Sequence, residues 1–344
     1  MIRVCIIPNV TGTGGMVSFR HKLEAGLTRV GVDTCFDLED GPYQSVLVIG
    51  GSRQIAGLNN IKKKGIRIVQ RLDGINWIHR KRFTGLLHTF RAEYGNLLQS
   101  TIRRHLADHI VYQSEFAQNW WIDWYGQTKS GYNIIHNGVD LEMYSPSGPH
   151  SRPAEKFRLL VVEGSLAGGY ESGLQNAVNL AETLQQCHQL PMEIMVVGSV
   201  SPELSHKWDK RSSIPIQWAG KVPRESIPEI DRSAHILFAA DLHPACPNSV
   251  IEALACGLPV AAFDTGAIRE LVPDDAGIVV PYGSDPWKLQ PPDINTLADK
   301  AAAVLMDNES YRKGARRFAK QHFNLDKMVR NYMDVLLEVD DDQP

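Results

Sequence analysis

The stretch that decides the fold is Pro247–Val272, with the sequence PNSVIEALACGLPVAAFDTGAIRELV. It is typical of a helix that opens with Pro247 and Asn248 and ends at Gly257, followed by a short buried strand, a glycine-containing turn and a second helix. Asn248 is a favourable N-cap, and Gly257 followed two residues later by Pro259 is a favourable helix end. Such an alternation of helix and apolar strand is the repeating unit of α/β sheets.

One acidic residue stands out in this predicted helix. Glu252 lies just past the first turn, and the residues around it are apolar. Solubility does not explain a lone carboxylate in such surroundings. A helix N-terminus attracts anions, and a carboxylate beside it accepts hydrogen bonds from hydroxyl groups. The stretch therefore predicts a ligand that carries an anionic group and hydroxyls in one molecule.

Length and composition indicate a globular α/β protein of two domains. The chain has 344 residues, of which 43% are hydrophobic and 22% charged, and domains usually contain roughly 100 to 200 residues. The sequence opens directly on the strand-like run IRVCIIP, and its apolar runs are shorter than the roughly 20 residues of a spanning helix. We therefore expect neither a signal peptide nor a membrane-spanning segment.

The cysteines predict a cytoplasmic protein. There are five, an odd number, and they are widely spaced without a C-x-x-C pair. This pattern favours reduced thiols over a disulfide framework, and it contains no zinc-ligand spacing. The histidines likewise lack ligand spacing, so we expect no metal.

Charge is divided unevenly along the chain. The overall net charge is −3, but residues 1–150 carry 17 Lys and Arg against 12 Asp and Glu, a net of +5. The basic half suggests an anionic partner, and the basic run His79–Arg82 with apolar neighbours suggests an anionic membrane or acceptor. Chance and an acidic tail explain the asymmetry equally well, and a solvated loop explains the run equally well. Nothing in the sequence suggests nucleic-acid binding.

Short apolar runs alternate with helical patterns in both halves of the chain. The runs are continuous rather than alternating, as in parallel sheets covered on both faces. The predicted strands are Arg3–Ile7, Asp33–Phe36, Val46–Ile49, Ile66–Gln70, Ile110–Tyr112 and Tyr132–Ile135, then Arg158–Val162, Glu193–Val197, Ile216–Ala219, His235–Phe238, Pro259–Ala262 and Gly277–Val280. A Pro- and Gly-rich connection near residues 145–153 separates two Rossmann-like domains, 1–150 and 151–324, with ligands expected at the carboxyl ends of the strands.

Two loops of the first half carry candidate site residues. The loop after the first strand contains Gly14 and Gly15, whose backbone can approach an anion closely. A tight structural turn explains these glycines equally well, and the G-x-G-x-x-G spacing of dinucleotide-binding proteins fails because position 17 is Val. The fourth strand leads to Asp73, which either pairs with Arg71 or hydrogen-bonds a sugar or acceptor hydroxyl.

Taken together, these motifs resemble family 4 of the retaining nucleotide-sugar glycosyltransferases. The resemblance is carried by IIHNGVD at 134–140, EALACGLPV at 252–260, TGAIRELV at 265–272 and GIVVPYGSDP at 277–286. It covers nearly the whole chain and implies a GT-B fold, in which two Rossmann-like domains face a central cleft. It also implies that the last helix, within 325–340, crosses back to the N-terminal domain.

The resemblance implies an activity and assigns roles to particular residues. The expected reaction is metal-independent transfer of a sugar, with retention, from a UDP- or GDP-sugar to a hydroxyl acceptor that is a saccharide, a lipid-linked molecule or a small molecule. Glu252 matches the second acid of the family's Glu-x7-Glu pair, which holds the donor ribose. The loop Pro247–Val250, which includes Asn248 and Ser249, matches the segment whose N–H groups face the donor diphosphate or sugar. Gly14 and Gly15 match the loop that closes over the phosphates, and Asp73 lies at the reacting sugar.

The sequence departs from the family pattern at two places. Pro244 stands where the first glutamate of the pair is expected, with Asp241 and His243 as nearby polar groups. The loop after residue 162, VEGSLAGGYESG, lacks the usual Arg and Lys, which leaves Ser165 and Lys221 as candidate donor-binding residues. A non-catalytic sugar-nucleotide-binding protein and a nucleotide-sugar epimerase of the same fold are the alternatives.

Overall fold

The computed structural model describes residues 2–12, 14–166 and 171–338, without the side chain of Ser165. Within these ranges the chain divides into two compact units. Unit 1 contains the residues up to Gly138 and those from Leu325 onward, and unit 2 spans Val139–Asn324. The division lies shortly before the Pro- and Gly-rich connection near residues 145–153.

Strands and helices alternate through both units. The strands are β1 Arg3–Ile7, β2 Asp33–Cys35, β3 Ser45–Ile49, β4 Arg67–Leu72, β5 His109–Tyr112, β6 Gly131–Ile134, β7 Phe157–Ser165, β8 Met192–Ser199, β9 Ile216–Gly220, β10 Ile236–Phe238, β11 Val260–Phe263 and β12 Gly277–Val280. The helices are α1 Gly15–Arg29, α2 Ile55–Lys63, α3 Leu86–Thr101, α4 Glu115–Tyr125, α5 Glu171–His188, α6 Pro202–Arg211, α7 Ile227–Ser233, α8 Asn248–Ala255, α9 Ile268–Leu271, α10 Ile294–Met306, α11 Asn308–His322 and α12 Leu325–Leu337. Each predicted strand is present within two residues of its expected bounds, except that β7 ends three residues later than predicted, at Ser165.

Unit 1 is built on a six-stranded sheet in the order β2-β1-β3-β4-β5-β6, and its strand pairs are parallel. Strand β3, SVLVI, is buried at every position, as expected for a strand covered on both faces. The order reverses between β1 and β3. In open α/β sheets the crevice outside the carboxyl ends at such a reversal is the usual ligand site.

The last helix, α12, completes unit 1. Its apolar residues recur at helical spacing and are buried: Leu325, Met328, Val329, Tyr332, Val335 and Leu336. Tyr332 lies 5.1 Å from Phe19 of α1, centroid to centroid, and Val329 packs against Gly26 of the same helix. The predicted return of the C-terminal helix to the N-terminal domain is therefore confirmed.

Unit 2 is a second six-stranded parallel sheet, in the order β12-β11-β10-β7-β8-β9. The first strand of unit 2, β7, lies in the middle of the sheet, with β8 and β9 on one side and β10, β11 and β12 on the other. This is the doubly wound strand order of a dinucleotide-binding sheet, and the order reverses between β7 and β10. The two sheets confirm the predicted architecture of two Rossmann-like domains.

Within the described ranges, no helix is both long enough and apolar enough to cross a lipid bilayer.

Candidate functional site

The loop after β10 leads into α8 at the strand-order reversal of unit 2. The helix begins at Asn248 with Pro247 at the N-cap position, one residue earlier than the predicted cap. Its first intrahelical bond runs from the Ile251 N–H to the Pro247 carbonyl, at 3.3 Å. The N–H groups of Asn248, Ser249 and Val250 therefore point out of the helix end, where they and the helix dipole favour an anion.

Glu252 lies one turn further along α8 and is buried among ionisable groups. Glu252 is 8% exposed. Burial, and then the neighbouring Glu252, raise the pKa of Asp231 on α7, and burial followed by Glu252 also raises the pKa of Tyr144. Arg232 and Arg312 oppose the shift at Asp231, and Arg224 opposes that at Tyr144. Because Glu252 is buried, hydroxyl groups that donate hydrogen bonds to it would be stabilised.

Pro244 has a structural role at the position of the missing glutamate. Its carbonyl accepts a hydrogen bond of 2.8 Å from the N–H of Ala267. Gly266 has φ +60, and a β-carbon there would lie 2.5 Å from the Pro244 backbone nitrogen and carbonyl oxygen. The turn before α9 thus packs directly on Pro244, and only glycine fits its middle position.

The backbone of His243 has a conformation that residues other than glycine rarely adopt. Its φ is +58, and its ring stacks on Trp287 with centroids 3.6 Å apart and planes at 12°. Burial lowers the pKa of His243 to about 4, and the charge of Asp285 opposes this shift. The ring is therefore neutral at pH 7, and backbone strain of this kind is concentrated at functional sites.

The structure also reveals a carboxyl pair that the sequence reasoning missed. Glu163 near the end of β7 and Asp241 after β10 come from the two strands that flank the reversal in unit 2. Burial raises the pKa of both groups, and the charge of Asp241 raises that of Glu163 further. A single acidic residue within the otherwise apolar run LLVVEGS was the available sequence signal.

The other two predicted residues of unit 2 occupy separate places along the same sheet edge. Ser165 ends β7, beside Ser199 of β8, and Gly168 and Gly169 lie outside the described residues. Lys221 follows β9 and is exposed. Strand β9 is three strands from β10, roughly 14 Å at the usual strand spacing. The structure therefore brings Ser165, but not Lys221, to the reversal beside α8.

Gly14 and Gly15 lie at the corresponding reversal of unit 1. Gly14 precedes α1 with φ 129 and ψ 174, a conformation essentially restricted to glycine. The first bond of α1 is donated by the Ser18 N–H to the Gly14 carbonyl, at 3.0 Å, so the N–H of Gly15 points out of the helix. Thr13 lies outside the described residues.

Asp73 follows β4 and is held through its backbone. Its carbonyl accepts a 2.7 Å hydrogen bond from Trp121 Nε1. Arg71 contacts other groups: a guanidinium nitrogen donates to Asn137 Oδ1 at 2.9 Å, and its Cζ lies 3.8 Å from the centroid of the Phe19 ring. Burial raises the pKa of Asp73, while the Arg71 charge opposes that shift.

Unit 1 contains a cavity of about 1330 Å³ at its own strand-order reversal. Its lining includes Asn9 after β1, Ser52 and Arg53 after β3, and Arg91 and Tyr94 of α3. The Arg53 guanidinium lies 5.9 Å from the Tyr94 ring centroid. The lining also includes a third arginine, Arg3, and three acids, Asp37, Glu39 and Asp40. Polar groups of both charges in a cavity of this size suit a hydroxylated small molecule.

Comparison with known proteins identifies the domain that carries the first of these sites. Residues 158–307 match the model of the family Glycosyl transferases group 1. A phosphatidylinositol N-acetylglucosaminyltransferase subunit of Arabidopsis thaliana is 26% identical over 176 residues, which are 50% of this chain and 36% of that protein. A D-inositol 3-phosphate glycosyltransferase of Xylanimonas cellulosilytica is 25% identical over 236 residues, 64% of this chain and 54% of that protein. The chain thus spans less than two thirds of either relative.

Solved structures match the fold over nearly the whole chain. Sucrose-phosphate synthase from Thermosynechococcus elongatus aligns with a TM-score of 0.74 and 15% identity, over 98% of this chain and 99% of that one. Anabaena HepE in complex with UDP-glucose aligns with a TM-score of 0.70 and 14% identity, over 98% and 100%. These alignments show that the chain has the GT-B fold. The residues that match the family Glycosyl transferases group 1, 158–307, lie within unit 2.

Proposed function

We propose that the protein transfers a sugar from a nucleoside-diphosphate-sugar donor to a hydroxyl acceptor, with retention of configuration and without a metal ion. The observation that carries the proposal is the pairing, on α8, of an outward-pointing N-terminus with a buried Glu252. A nucleotide sugar offers the diphosphate and the ribose hydroxyls that these two features would bind.

The N-terminus of α8 supplies what a departing nucleoside diphosphate needs. Negative charge builds on the leaving group as the sugar–oxygen bond breaks, and fixed N–H dipoles stabilise it without rearrangement. In this proposal Asn248, Ser249 and Val250 contact the diphosphate or sugar. Ser165 at the end of β7 binds the donor beside α8, and Lys221 after β9 binds a part of the donor further along the edge of the sheet. The bound UDP-glucose of HepE, a protein of the same fold, makes UDP-glucose the first donor to test.

The acceptor belongs to unit 1 in this proposal. The cavity beside Arg53 and Tyr94 would hold it, with Gly14 and Gly15 close to the donor phosphates. Asp73 would hydrogen-bond a hydroxyl of the acceptor or of the reacting sugar. Burial raises the pKa of Asp73, and such a perturbed carboxyl group is typical of residues that bind or transfer protons at reacting groups. Phosphatidylinositol and inositol 3-phosphate appear in the names of two relatives, so a phosphorylated cyclitol is a reasonable first acceptor.

We also propose a cytoplasmic location with peripheral membrane contact through the basic half of the chain. The free cysteines of the described residues and the net charge of +5 over residues 1–150 support this part of the proposal. A lipid-linked acceptor would then be reached at the membrane surface.

The decisive experiment measures donor binding and turnover in matched variants. Melting temperature is recorded with UDP, GDP, UDP-glucose and GDP-mannose, and release of nucleoside diphosphate is followed with EDTA present. Glu252→Gln is expected to weaken donor affinity by about tenfold to a hundredfold, because hydrogen bonds to a charged group contribute about 1.5–3 kcal/mol. The variant should fold, since glutamine keeps the shape and volume of the buried side chain. Glu229→Gln, exposed on α7, is the control and should bind as the wild type does.

Two results would overturn the transferase proposal. One is the absence of both a thermal shift and diphosphate release with every donor. The other is a product whose anomeric configuration, read by NMR, is inverted, which would remove the retaining mechanism. If Glu252→Gln bound donor normally, the ribose assignment alone would be wrong.

One observation favours a second function, that of a sugar-nucleotide-binding protein without turnover. The Pro244 position is tied into the turn at Gly266 and Ala267, so its backbone is committed to structure where the family places a carboxylate. Saturable UDP-glucose binding without diphosphate release, across a panel of acceptors, would support this second function.

A further inference from the structure

The exposed apolar side chains of the protein are concentrated in one short segment. Eleven large apolar residues are strongly exposed within the described ranges, and six of them lie between residues 83 and 97. These six, here called the α3 stripe, are Phe83, Leu86, Leu87, Phe90, Tyr94 and Leu97. Phe83 is 80% exposed, Leu87 74% and Phe90 73%. Scattered exposed apolar residues are ordinary, but a contiguous set marks an interaction surface.

The geometry of α3 aligns the stripe into one continuous face. At 100° per residue, Leu86, Leu97, Phe90, Tyr94 and Leu87 fall within an arc of about 100° along the helix. The buried residues of α3, Ala92 and Asn96, lie on the opposite side. The helix therefore turns its small and polar residues toward unit 1 and its large apolar residues outward, the reverse of an ordinary surface helix.

Basic side chains flank the α3 stripe. Lys81 and Arg82 precede it, Arg91 lies at its edge, and all three are exposed. The acid of this segment, Glu93, is already engaged by two partners. Arg80 donates two hydrogen bonds to it at 2.6 and 2.7 Å, and His79 contacts it at 2.8 Å. The Arg80 hydrogen bonds, followed by the His79 contact, lower the pKa of Glu93 to about 2. The outward charge of the segment is consequently positive.

From these observations we propose that the α3 stripe and its basic flank bind the surface of an anionic lipid bilayer. An exposed apolar helix face bordered by Lys and Arg is the arrangement that inserts at the boundary between headgroups and acyl chains. Phosphate headgroups carry negative charge, which complements the positive charge of the flank. A second copy of the chain seated on the same face would bring two basic flanks together, which like-charge repulsion disfavours. The partner is therefore a lipid surface.

Membrane binding by the α3 stripe bears on catalysis through the acceptor, and this part rests on the proposed function. Arg91 and Tyr94 belong to the edge of the stripe and also line the cavity of unit 1. A lipid-linked acceptor could therefore keep its acyl chains in the bilayer while its polar head enters this cavity. The surface would thus select acceptors that are anchored in the membrane.

The test is co-sedimentation of the full chain with vesicles of phosphatidylcholine, with and without phosphatidylglycerol. The wild type is expected to bind the anionic vesicles. The double variant Leu87→Glu and Phe90→Glu should weaken binding by about tenfold or more, because two large apolar side chains no longer enter the bilayer. Met306→Glu is the matched control, since Met306 is 72% exposed on α10 of unit 2, and its binding should match that of the wild type.

A charge variant separates the basic flank from the apolar face. Lys81→Glu should reduce binding to anionic vesicles by roughly fivefold or more, the equivalent of about 1 kcal/mol per basic side chain near the surface. The exposed Lys300→Glu of α10 serves as its control. The melting temperature of each variant, and its shift with UDP, report whether the chain is folded.

Several outcomes would overturn the inference. They are failure of the wild type to bind anionic vesicles, equal binding to neutral and anionic vesicles, and full binding by the double variant. Dimerisation that the double variant abolishes would assign the stripe to a second copy instead. Vesicle binding needs no donor, so its loss would leave the proposed function standing. A chain that binds vesicles but neither binds nor hydrolyses any donor would refute the proposed function alone.

Discussion

At the scale of single residues, His235 shows how burial fixes a protonation state. Its Nδ1 accepts a hydrogen bond of 2.9 Å from the backbone N–H of Arg158, so the unprotonated nitrogen must face that donor. Burial lowers the pKa of His235 from 6.5 to about 4, and the charges of Arg152 and Arg312 act in the same direction. Protonation would therefore break the contact between the loop before β10 and β7.

The expected consequence is a loss of stability on acidification. The unfolded chain takes up a proton at His235 near pH 6.5, whereas the folded chain resists it until about pH 4. The stabilisation is therefore complete above pH 6.5 and falls as the pH drops toward 4, by up to about 1.4 kcal/mol per pH unit for one group. His243 adds to the loss with the same sign. Urea midpoints measured across this range test the prediction.

A variant pair isolates the contribution of His235. In His235→Asn the side-chain oxygen can replace Nδ1 as an acceptor but does not titrate, so the midpoint should fall less steeply below pH 6.5. His206→Asn, exposed on α6, should keep the wild-type slope. Equal slopes in all three proteins would assign the acid sensitivity to other groups.

How far the candidate site follows from the sequence depends on how local each signal is. Glu252 could be predicted from the sequence, because a lone acid in an apolar helix is a local pattern. Glu163 and Asp241 were not recognised as a pair, because they are brought together by two strands whose pairing depends on the whole sheet. Lys221 was placed correctly after its strand, but its separation from α8 depends on strand order.

At the scale of elements, the contact between α1 and α12 depends on the absence of one side chain. A β-carbon on Gly26 would collide with the Val329 side chain, so α12 approaches α1 as closely as backbone atoms allow. Gly95 of α3 differs, because a β-carbon there would meet only Asn76 Nδ2 at 3.8 Å. A comparison of alanine substitutions at these two helical glycines therefore tests how closely α12 packs against α1.

Gly26→Ala is expected to destabilise unit 1 by about 1–3 kcal/mol, the usual effect of overpacking. Gly95→Ala should instead be neutral or stabilising by about 0.5–1 kcal/mol, since alanine favours a helix over glycine. Adding Val329→Ala to Gly26→Ala should recover part of the loss, because it removes the colliding methyl groups. Additive effects in this cycle, measured by urea unfolding, would mean that the helices are not in close contact.

The elements themselves were largely predictable, because each is marked locally. The apolar runs predicted every strand. Helix α4 also has a local signal, because Ser114 precedes it and accepts a hydrogen bond of 3.1 Å from the Ala117 N–H, and Gly126 follows it. Helix α3, by contrast, continues into a π-helical turn at Ile102–Leu106. That change involves Arg103, which is buried and donates to Tyr112 and to the Gly126 carbonyl. Such tertiary bonds leave no local mark in a sequence.

At the scale of the whole molecule, unit 2 is an insertion within unit 1. Unit 1 needs residues from both ends of the chain, whereas unit 2 is continuous from Val139 to Asn324. The backbone bond from the Val139 N–H to the Phe323 carbonyl, at 2.8 Å, joins the two ends of the insertion. The units should therefore respond differently to truncation.

A chain that stops after Asn324 is expected to lose the stability of unit 1 and keep that of unit 2. Without α12, Phe19 and the surface of α1 around Gly26 lose their cover, a loss of several buried apolar side chains at about 1.5–3 kcal/mol each. Limited proteolysis with mass spectrometry should show cleavage within residues 2–138 and protection of 139–324. Equal protection of both units would contradict the division.

The position of α12 also bears on how the protein is made. A ribosome delivers the strands of the first sheet before unit 2, and the helix that covers α1 only after unit 2. Until then the apolar surface at Phe19, Leu23 and Leu27 is open to other nascent chains and to chaperones. Unit 2 can fold as soon as it emerges, so unit 1 is begun before unit 2 and completed after it.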